Sequence, residues 1–322
     1  MRLLDETNVD CDLQQGVVIL AKSAANYADL AATVDGRNAF YETQDYMLPA
    51  DRLDEEAGGR AASEFAGALV MPGAHTVQPA KMMMALAAFA RRLGVAICER
   101  TEVVDVQAAN GGFRVITNGG ELVAHEVLRA TGGYTRESDR FLWPRTLGLP
   151  SIAAATEPLP EDEVRDVCRT QRVLLVNGRR TFTCRPSPDG RRLILGGPVG
   201  QNPVTPERDA RGLHDYFTKI FPDLAGIEFT HCWSGLIAGT LDGRGHSGAH
   251  DGAWYNVGAS GLVSSADAGR RVAQHILHAD RAAASGDQRF PRWPFRASES
   301  LLRLGFEWST RVLDVLGRSR LR

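Results

Sequence analysis

Two stretches of this 322-residue chain, Val127–Thr135 (VLRATGGYT) and Ala253–Val272 (AWYNVGASGLVSSADAGRRV), read as an apolar strand, a glycine turn, and then a polar turn or helix. This pattern constrains the fold most, because a strand running into a glycine-bearing helix start is the repeating unit of nucleotide-binding α/β sheets. Such sheets usually open on a strand, G-x-G-x-x-G and a helix, and Met1–Asp12 (MRLLDETNVDCD) contains no such unit. The expectation is the body of a nucleotide fold without its opening βαβ segment.

The balance of 43% hydrophobic and 24% charged residues suits a soluble chain of two domains or one large α/β body. With 37 basic against 39 acidic residues the net charge is −2, which gives no drive toward nucleic acid. Five scattered cysteines form no C-x-x-C pair and point to a reduced, cytoplasmic protein. The acidic N-terminus has no apolar core of a signal peptide, and no apolar run approaches the roughly 18 residues of a membrane span.

Along the chain, a strand is expected in residues 11–21, a helix around Ala24–Asp35, and a strand over Glu64–Met71 closed by Pro72–Gly73. The clearest helix is Pro79–Leu93, with proline in its first turn, Gly94 just past its end, and Met83, Leu86, Ala87, Ala90 and Leu93 on one face. Asn118–Gly119 between two short apolar runs predicts a hairpin. Beyond Pro144–Pro160 the pattern changes to antiparallel strands near Val173–Val176, Arg180–Arg185 and Leu193–Gly196, then a helix over 206–220. In the tail, FPRWPF (Phe290–Phe295) reads as a linker. Leu301, Leu304, Trp308, Val312 and Val315 share one face of a basic amphipathic helix that would lie on a membrane surface or dock on the protein's own body or a partner.

The one G-x-G-x-x-G present, Gly243–Gly248 (GRGHSG), follows the polar Gly239–Asp242 and precedes AHDG, so it reads as a loop and not as a dinucleotide fingerprint. Asn256–Ser264 (NVGASGLVS) is the better signal, since bare backbone amides at a helix start attract electron-rich groups. His231 and Cys232 are neighbours that would face opposite sides of a strand, and His246 and His250 lie in a glycine-rich loop, so no metal site is expected.

Taken in order, CDLQQGVVILA, GALVMPGAHTVQPAK, ERTEVVDV, VLRATGGYT, RPSPDGRRLILGG, HCWSGLIAGTLD and YNVGASGLVSSADAG resemble the D-amino-acid oxidase-like (DAO) family of FAD-dependent oxidoreductases, especially its γ-glutamylputrescine-oxidase-like branch. The resemblance runs from about Cys11 to His278. It implies FAD as cofactor, held by Val103, Thr131, Gly132, Gly133, Gly258, Gly261, Leu262, Val263 and Ser264. It also implies that the Arg185–Gly197 strands belong to a sheet roofing the substrate, with His75, Arg185 and Trp233 as pocket candidates; the plain alternatives are a loop histidine for His75 and a core tryptophan for Trp233. Relatives that oxidise amino acids carry an arginine after W-x-G-L, where this chain has Ile237 and Ala238, so the resemblance implies either an amine substrate or a carboxylate bound elsewhere, with Arg185 a candidate for it.

The implied fold is mixed α/β, a glutathione-reductase-like FAD-binding lobe with an antiparallel substrate-binding sheet. The expected domains are 66–145 with 234–280 for FAD, 11–65 with 146–233 for substrate, and the tail 281–322. The implied activity is oxidation of a C–N bond in a small-molecule amine or amino acid by hydride transfer to flavin N5, with no catalytic acid or base identified. The alternative is a non-catalytic remnant or partner-binding subunit that no longer holds FAD. Without a first strand, Val127–Ala130 and Trp254–Val257 are expected to expose apolar surface.

Overall fold

The computed structural model describes residues 4, 7, 9–59, 64–176, 182–198, 206–258, 261–278 and 290–293. Its elements begin with β1 (Gln14–Ala21), α1 (Ala24–Tyr41), β2 (Tyr46–Pro49), β3 (Gly67–Thr76) and α2 (Pro79–Arg92). Next come β4 (Val103–Ala109), β5 (Gly112–Thr117), β6 (Gly120–Ala124), β7 (Leu128–Arg129), β8 (Leu147–Thr156) and α3 (Glu161–Val167). The chain continues through β9 (Val173–Val176), β10 (Phe182–Pro186), β11 (Leu193–Pro198) and α4 (Pro206–Ile220). It ends in β12 (Phe229–Gly239), β13 (His246–His250), β14 (Ala253–Val257) and α5 (Leu262–Leu277). No described helix is long and apolar enough to cross a membrane.

The chain divides into two compact units, 1–97 with 151–234 and 98–150 with 235–322. In the first unit an eight-stranded sheet runs β12-β8-β11-β10-β9-β1-β3-β2. Alternate residues of its strands, among them Val18, Leu20, Leu174, Val176, Phe182, Cys184, Leu193 and Leu195, point into one core, which Phe217 and Phe221 of the α4 region complete. α1 starts at Ser23, whose side chain accepts from the Asn26 amide, and ends at Glu42 in the left-handed conformation.

The expected boundary changes here. Residues 66–97 fall in the first unit, not with residues 98–145, because β3 pairs antiparallel with both β1 and β2 and buries Ala68 and Val70 in the same core. Pro72–Gly73 does not close the strand either. It forms an irregularity between the Val17–Met71 and Gln15–His75 pairs, after which β3 continues.

The second unit holds two three-stranded sheets, the meander β4-β5-β6 and the mixed sheet β13-β14-β7. The Asn118–Gly119 hairpin joins β5 and β6 as expected from its sequence. Leu128 is exposed as anticipated, but Trp254, Tyr255 and Val257 are buried. Their cover comes from the unit's own elements: His275 of α5 stacks on the Trp254 ring, the Trp254 indole N–H donates to Glu126 at 2.8 Å, and Leu142 packs with Tyr255 and Val257. Phe290 and Trp293 of the expected linker also dock here. Phe290 stacks on His246 and Tyr255, and the Trp293 amide donates to the Pro144 carbonyl at 2.9 Å. The expected amphipathic helix of the tail lies outside the described residues.

Candidate functional site

In the second unit, β7 and β14 are parallel neighbours, with Leu128 opposite Trp254 and Arg129 opposite Tyr255. Both strands therefore end at one edge of the sheet, and each runs into a glycine turn. Edges of this kind, at the carboxyl ends of parallel strands, are where open α/β sheets take ligands.

After β7, Gly132 adopts a positive φ of 56°, and a Cβ placed on it would meet open space. The turn is closed by the Tyr134 amide donating to the Thr131 carbonyl at 3.0 Å and by the Thr135 hydroxyl donating to the Gly132 carbonyl at 2.8 Å. Gly133 is required for a different reason. A Cβ there would lie 2.8 Å from the Leu236 carbonyl group, and one on Gly148 would lie 2.7 Å from the Gly133 oxygen. Tyr134 secures the same approach, its hydroxyl accepting from the Leu236 amide at 3.2 Å. Gly148, Tyr134 and Leu236 carry no local sequence signal of this role, since it arises only from long-range packing.

After β14, Gly258 has φ +75°, and a Cβ there would stand 2.5 Å from Thr240 Cγ2 and 2.7 Å from the Arg244 carbonyl oxygen. Gly261, with φ +87°, is the first residue outside α5 and has no side chain of its own to cap the helix. A Cβ on Gly261 would again point into open space. The Ser264 and Ser265 hydroxyls turn inward and donate to the Gly261 carbonyl at 3.2 and 2.9 Å. The amides of the first turn carry the positive end of the helix dipole. Val103 stands apart in the β4-β5-β6 meander, half-exposed; the adjacent Glu102 ion-pairs with Arg136, in the loop that follows Gly133.

The turn that walls Gly258 is held by Asp242, which accepts from the Arg244 amide at 3.2 Å and pairs with His246 Nε2 at 2.9 Å. Burial pushes the Asp242 carboxyl up, but the hydrogen bonds from His246 and the Arg244 amide, with the charge of His246, outweigh it and hold the group below the usual carboxylate range. A carboxyl depressed in the folded state stabilises the fold fully above its unfolded value, about 3.9, and loses that contribution as pH falls through its folded value. Asp242→Asn should therefore lower the melting temperature at pH 7, and the gap to the wild type should shrink at a pH low enough to protonate Asp242 in the folded state. A gap of the same size at both pH values would contradict this.

In the first unit, Thr183 and Arg185 of β10 project from the face opposite the core, because the alternating Phe182, Cys184 and Pro186 are buried. Arg185 is half-buried and donates to the Val77 carbonyl at 3.0 Å. Burial lowers its pKa, and the nearby Asp12 charge opposes that shift. His75 is exposed on β3 opposite Gln15, two residues before Val77, so the structure brings the His75 segment and Arg185 together. Trp233 is half-exposed on β12, at the edge of the sheet several strands away from β3. Gly243–Gly248 runs from the turn after β12 into the first half of β13 (His246–His250), a strand and not a helix. Among the described residues no group of three or more His, Cys, Asp or Glu side chains is placed to hold a metal ion.

A family model described as FAD dependent oxidoreductase (DAO) matches residues 1–275. The probable oxidoreductase OrdL of Haemophilus influenzae is 25% identical over 291 residues, covering 86% of this chain and 64% of the relative. The γ-glutamylputrescine oxidoreductase of Escherichia coli is 24% identical over 297 residues, covering 91% of this chain and 68% of the relative. Glycine oxidase from Geobacillus kaustophilus has the same fold in its crystal structure, with a TM-score of 0.73, 23% identity, and coverage of 86% of this chain and 75% of that one. The chain therefore spans less than two thirds of the length of OrdL.

Proposed function

The chain belongs to the DAO family of FAD-dependent oxidoreductases, and from that premise we propose that it oxidises the C–N bond of an amine or amino acid. The observation that carries the reading is the shared edge of β7 and β14, where Gly132 faces open space and α5 starts just after Gly261. These residues fit a flavin dinucleotide. Thr131, Gly132 and Gly133 offer backbone without obstructing side chains, and Gly258, Gly261, Leu262, Val263 and Ser264 offer a helix start that stabilises negative charge. Val103, next to the Glu102–Arg136 pair, is assigned to the same cofactor through its backbone. Residues 98–150 with 235–278 form the FAD-binding part in this reading, and the eight-stranded sheet of the other unit binds the substrate.

Bound FAD supplies a two-electron acceptor for the hydride that leaves the carbon beside nitrogen. The amine becomes an imine, which water converts to a carbonyl compound and ammonia or a smaller amine. The chain's own contribution in this reading is binding and orientation, since a substrate bound as the neutral amine needs no acid or base. Anaerobic mixing of the FAD-loaded chain with a panel of amines and amino acids tests the reaction without reference to the final electron acceptor. At least one compound should bleach the visible flavin absorbance in a saturable manner. Protein-bound flavin that no amine or amino acid bleaches would favour a non-catalytic role.

A further inference from the structure

We propose that Phe290 is a positioning residue for the cofactor edge: its ring holds the His246–Asp242 pair in place, and that pair holds the Thr240–Arg244 turn against Gly258. This rests on the reading above that the Gly258 turn meets FAD, and it assigns the brace of that turn to a segment beyond α5.

The 290–293 segment has a seat of its own. Arg145 Nε donates to the Phe290 carbonyl at 3.2 Å, and the Trp293 amide donates to the Pro144 carbonyl at 2.9 Å. Arg145 is fixed in turn by the Phe141 carbonyl at 2.8 Å and lies over the Phe141 ring at 4.1 Å. Phe141 and Phe290 meet edge to face and form one aromatic wall. His246 and His250, which their even spacing puts on one face of β13, both rest on that wall. His250 stacks on Phe141 at 3.8 Å, and His246 stacks on Phe290 at 4.1 Å with the rings 12° from parallel.

The torsion that turns an imidazole about its Cβ–Cγ bond is broad, so rotamer preference alone does not aim the ring. In His246 two contacts aim it, the stacking on Phe290 and the bond between Nε2 and Asp242 at 2.9 Å. With the Phe290 ring removed, one face of this buried imidazole opens to water, the ring can turn, and the Asp242 bond loses its alignment. Asp242 also accepts from the Arg244 amide, and the Thr240 hydroxyl donates to the Arg244 carbonyl at 2.8 Å. That carbonyl oxygen lies 2.7 Å from where a Cβ on Gly258 would stand, and His246 is paired across the sheet with Val257, the residue before Gly258. Loosening the pair therefore shifts the wall of the turn and not only the stability of the fold.

Phe290→Leu keeps an apolar side chain and removes the stacked ring, whereas Phe290→Tyr keeps the ring. Hydrogen–deuterium exchange on the full chain as purified, read by mass spectrometry, should run about fivefold faster over residues 240–246 in Phe290→Leu. Residues 112–124, in the β5–β6 hairpin of the same unit, should exchange as in the wild type. FAD titration followed by flavin fluorescence should show a dissociation constant raised about fivefold in the same variant. Phe290→Tyr should match the wild type in both measurements. Unchanged exchange over 240–246, equal acceleration over 112–124, a Phe290→Leu chain that does not fold, or a Phe290→Tyr chain that behaves like Phe290→Leu would overturn the inference. Faster exchange over 240–246 with unchanged FAD affinity would overturn it as well. A wild type that binds no FAD contradicts the flavin reading alone, and the exchange over 240–246 still decides whether Phe290 holds the turn.

Discussion

Gly258→Val should abolish FAD binding and lower the melting temperature sharply. An L-residue at φ +75° costs about 1–2 kcal/mol in backbone strain alone. The added Cβ also meets Thr240 Cγ2 and the Arg244 carbonyl at 2.5 and 2.7 Å, and overpacking of this kind costs about 1–3 kcal/mol. Relief requires moving either the Thr240–Arg244 turn or the link from β14 to α5. The turn is braced by the Thr240 hydroxyl on the Arg244 carbonyl at 2.8 Å and by Asp242 on His246, so the link should move and carry the helix start with it. Gly261→Ala is the informative comparison. Its φ of +87° imposes the strain, but nothing lies within 4 Å of the new Cβ, so the fold should lose only about 1–2 kcal/mol. Thermal melts and flavin retention on both variants check this, and equal behaviour of the two would refute the steric part of the argument.

The second large effect lies in the other unit and does not involve the cofactor. Glu56→Ala should destabilise the fold by about 3 kcal/mol, at the lower end of the range for breaking a buried ion pair because Arg172 keeps some access to solvent. Glu56 is buried and gathers three partners: Arg172 at 2.5 Å, the Thr170 hydroxyl at 2.8 Å and the Tyr46 hydroxyl at 3.2 Å. It thereby ties the segment leading into β9 to the segment after β2. Arg172 in turn lies across Gly16 of β1, where a Cβ would be 2.2 Å from its Nε, so the pair also positions β1 beside β9. Urea denaturation of Glu56→Ala, Arg172→Met and the double variant measures the coupling. The double variant should recover part of the loss, since it leaves no unpaired charge; strict additivity would show that the network carries no coupling.

What the sequence reveals here is what local chemistry controls. Pro79 and Gly94 frame α2 to within a residue or two, and Asn118–Gly119 marks its hairpin, because caps and turns depend on neighbours in sequence. The turns at Gly132 and Gly258 are legible for the same reason, as both need backbone conformations that glycine permits. The membership of β3 was not legible, because its apolar run fits either unit and only pairing with β1 and β2 decides between them. The demand on Gly133 was also hidden, since it comes from Leu236, about a hundred residues away along the chain. FPRWPF reads as a linker because proline interrupts any periodic pattern, yet Phe290 and Trp293 find an aromatic bed in Phe141, His246 and Tyr255 and a niche beside Leu147.

The central claim is that the edge formed by β7, β14 and the start of α5 holds FAD. Equilibrium titration of the purified chain with FAD, followed by quenching of flavin fluorescence, tests it most directly when Gly258→Val is measured beside the wild type. The account requires saturable, stoichiometric binding by the wild type and none by the variant. A folded wild-type chain that leaves FAD fluorescence unchanged, or a Gly258→Val variant that binds as tightly as the wild type, would contradict it.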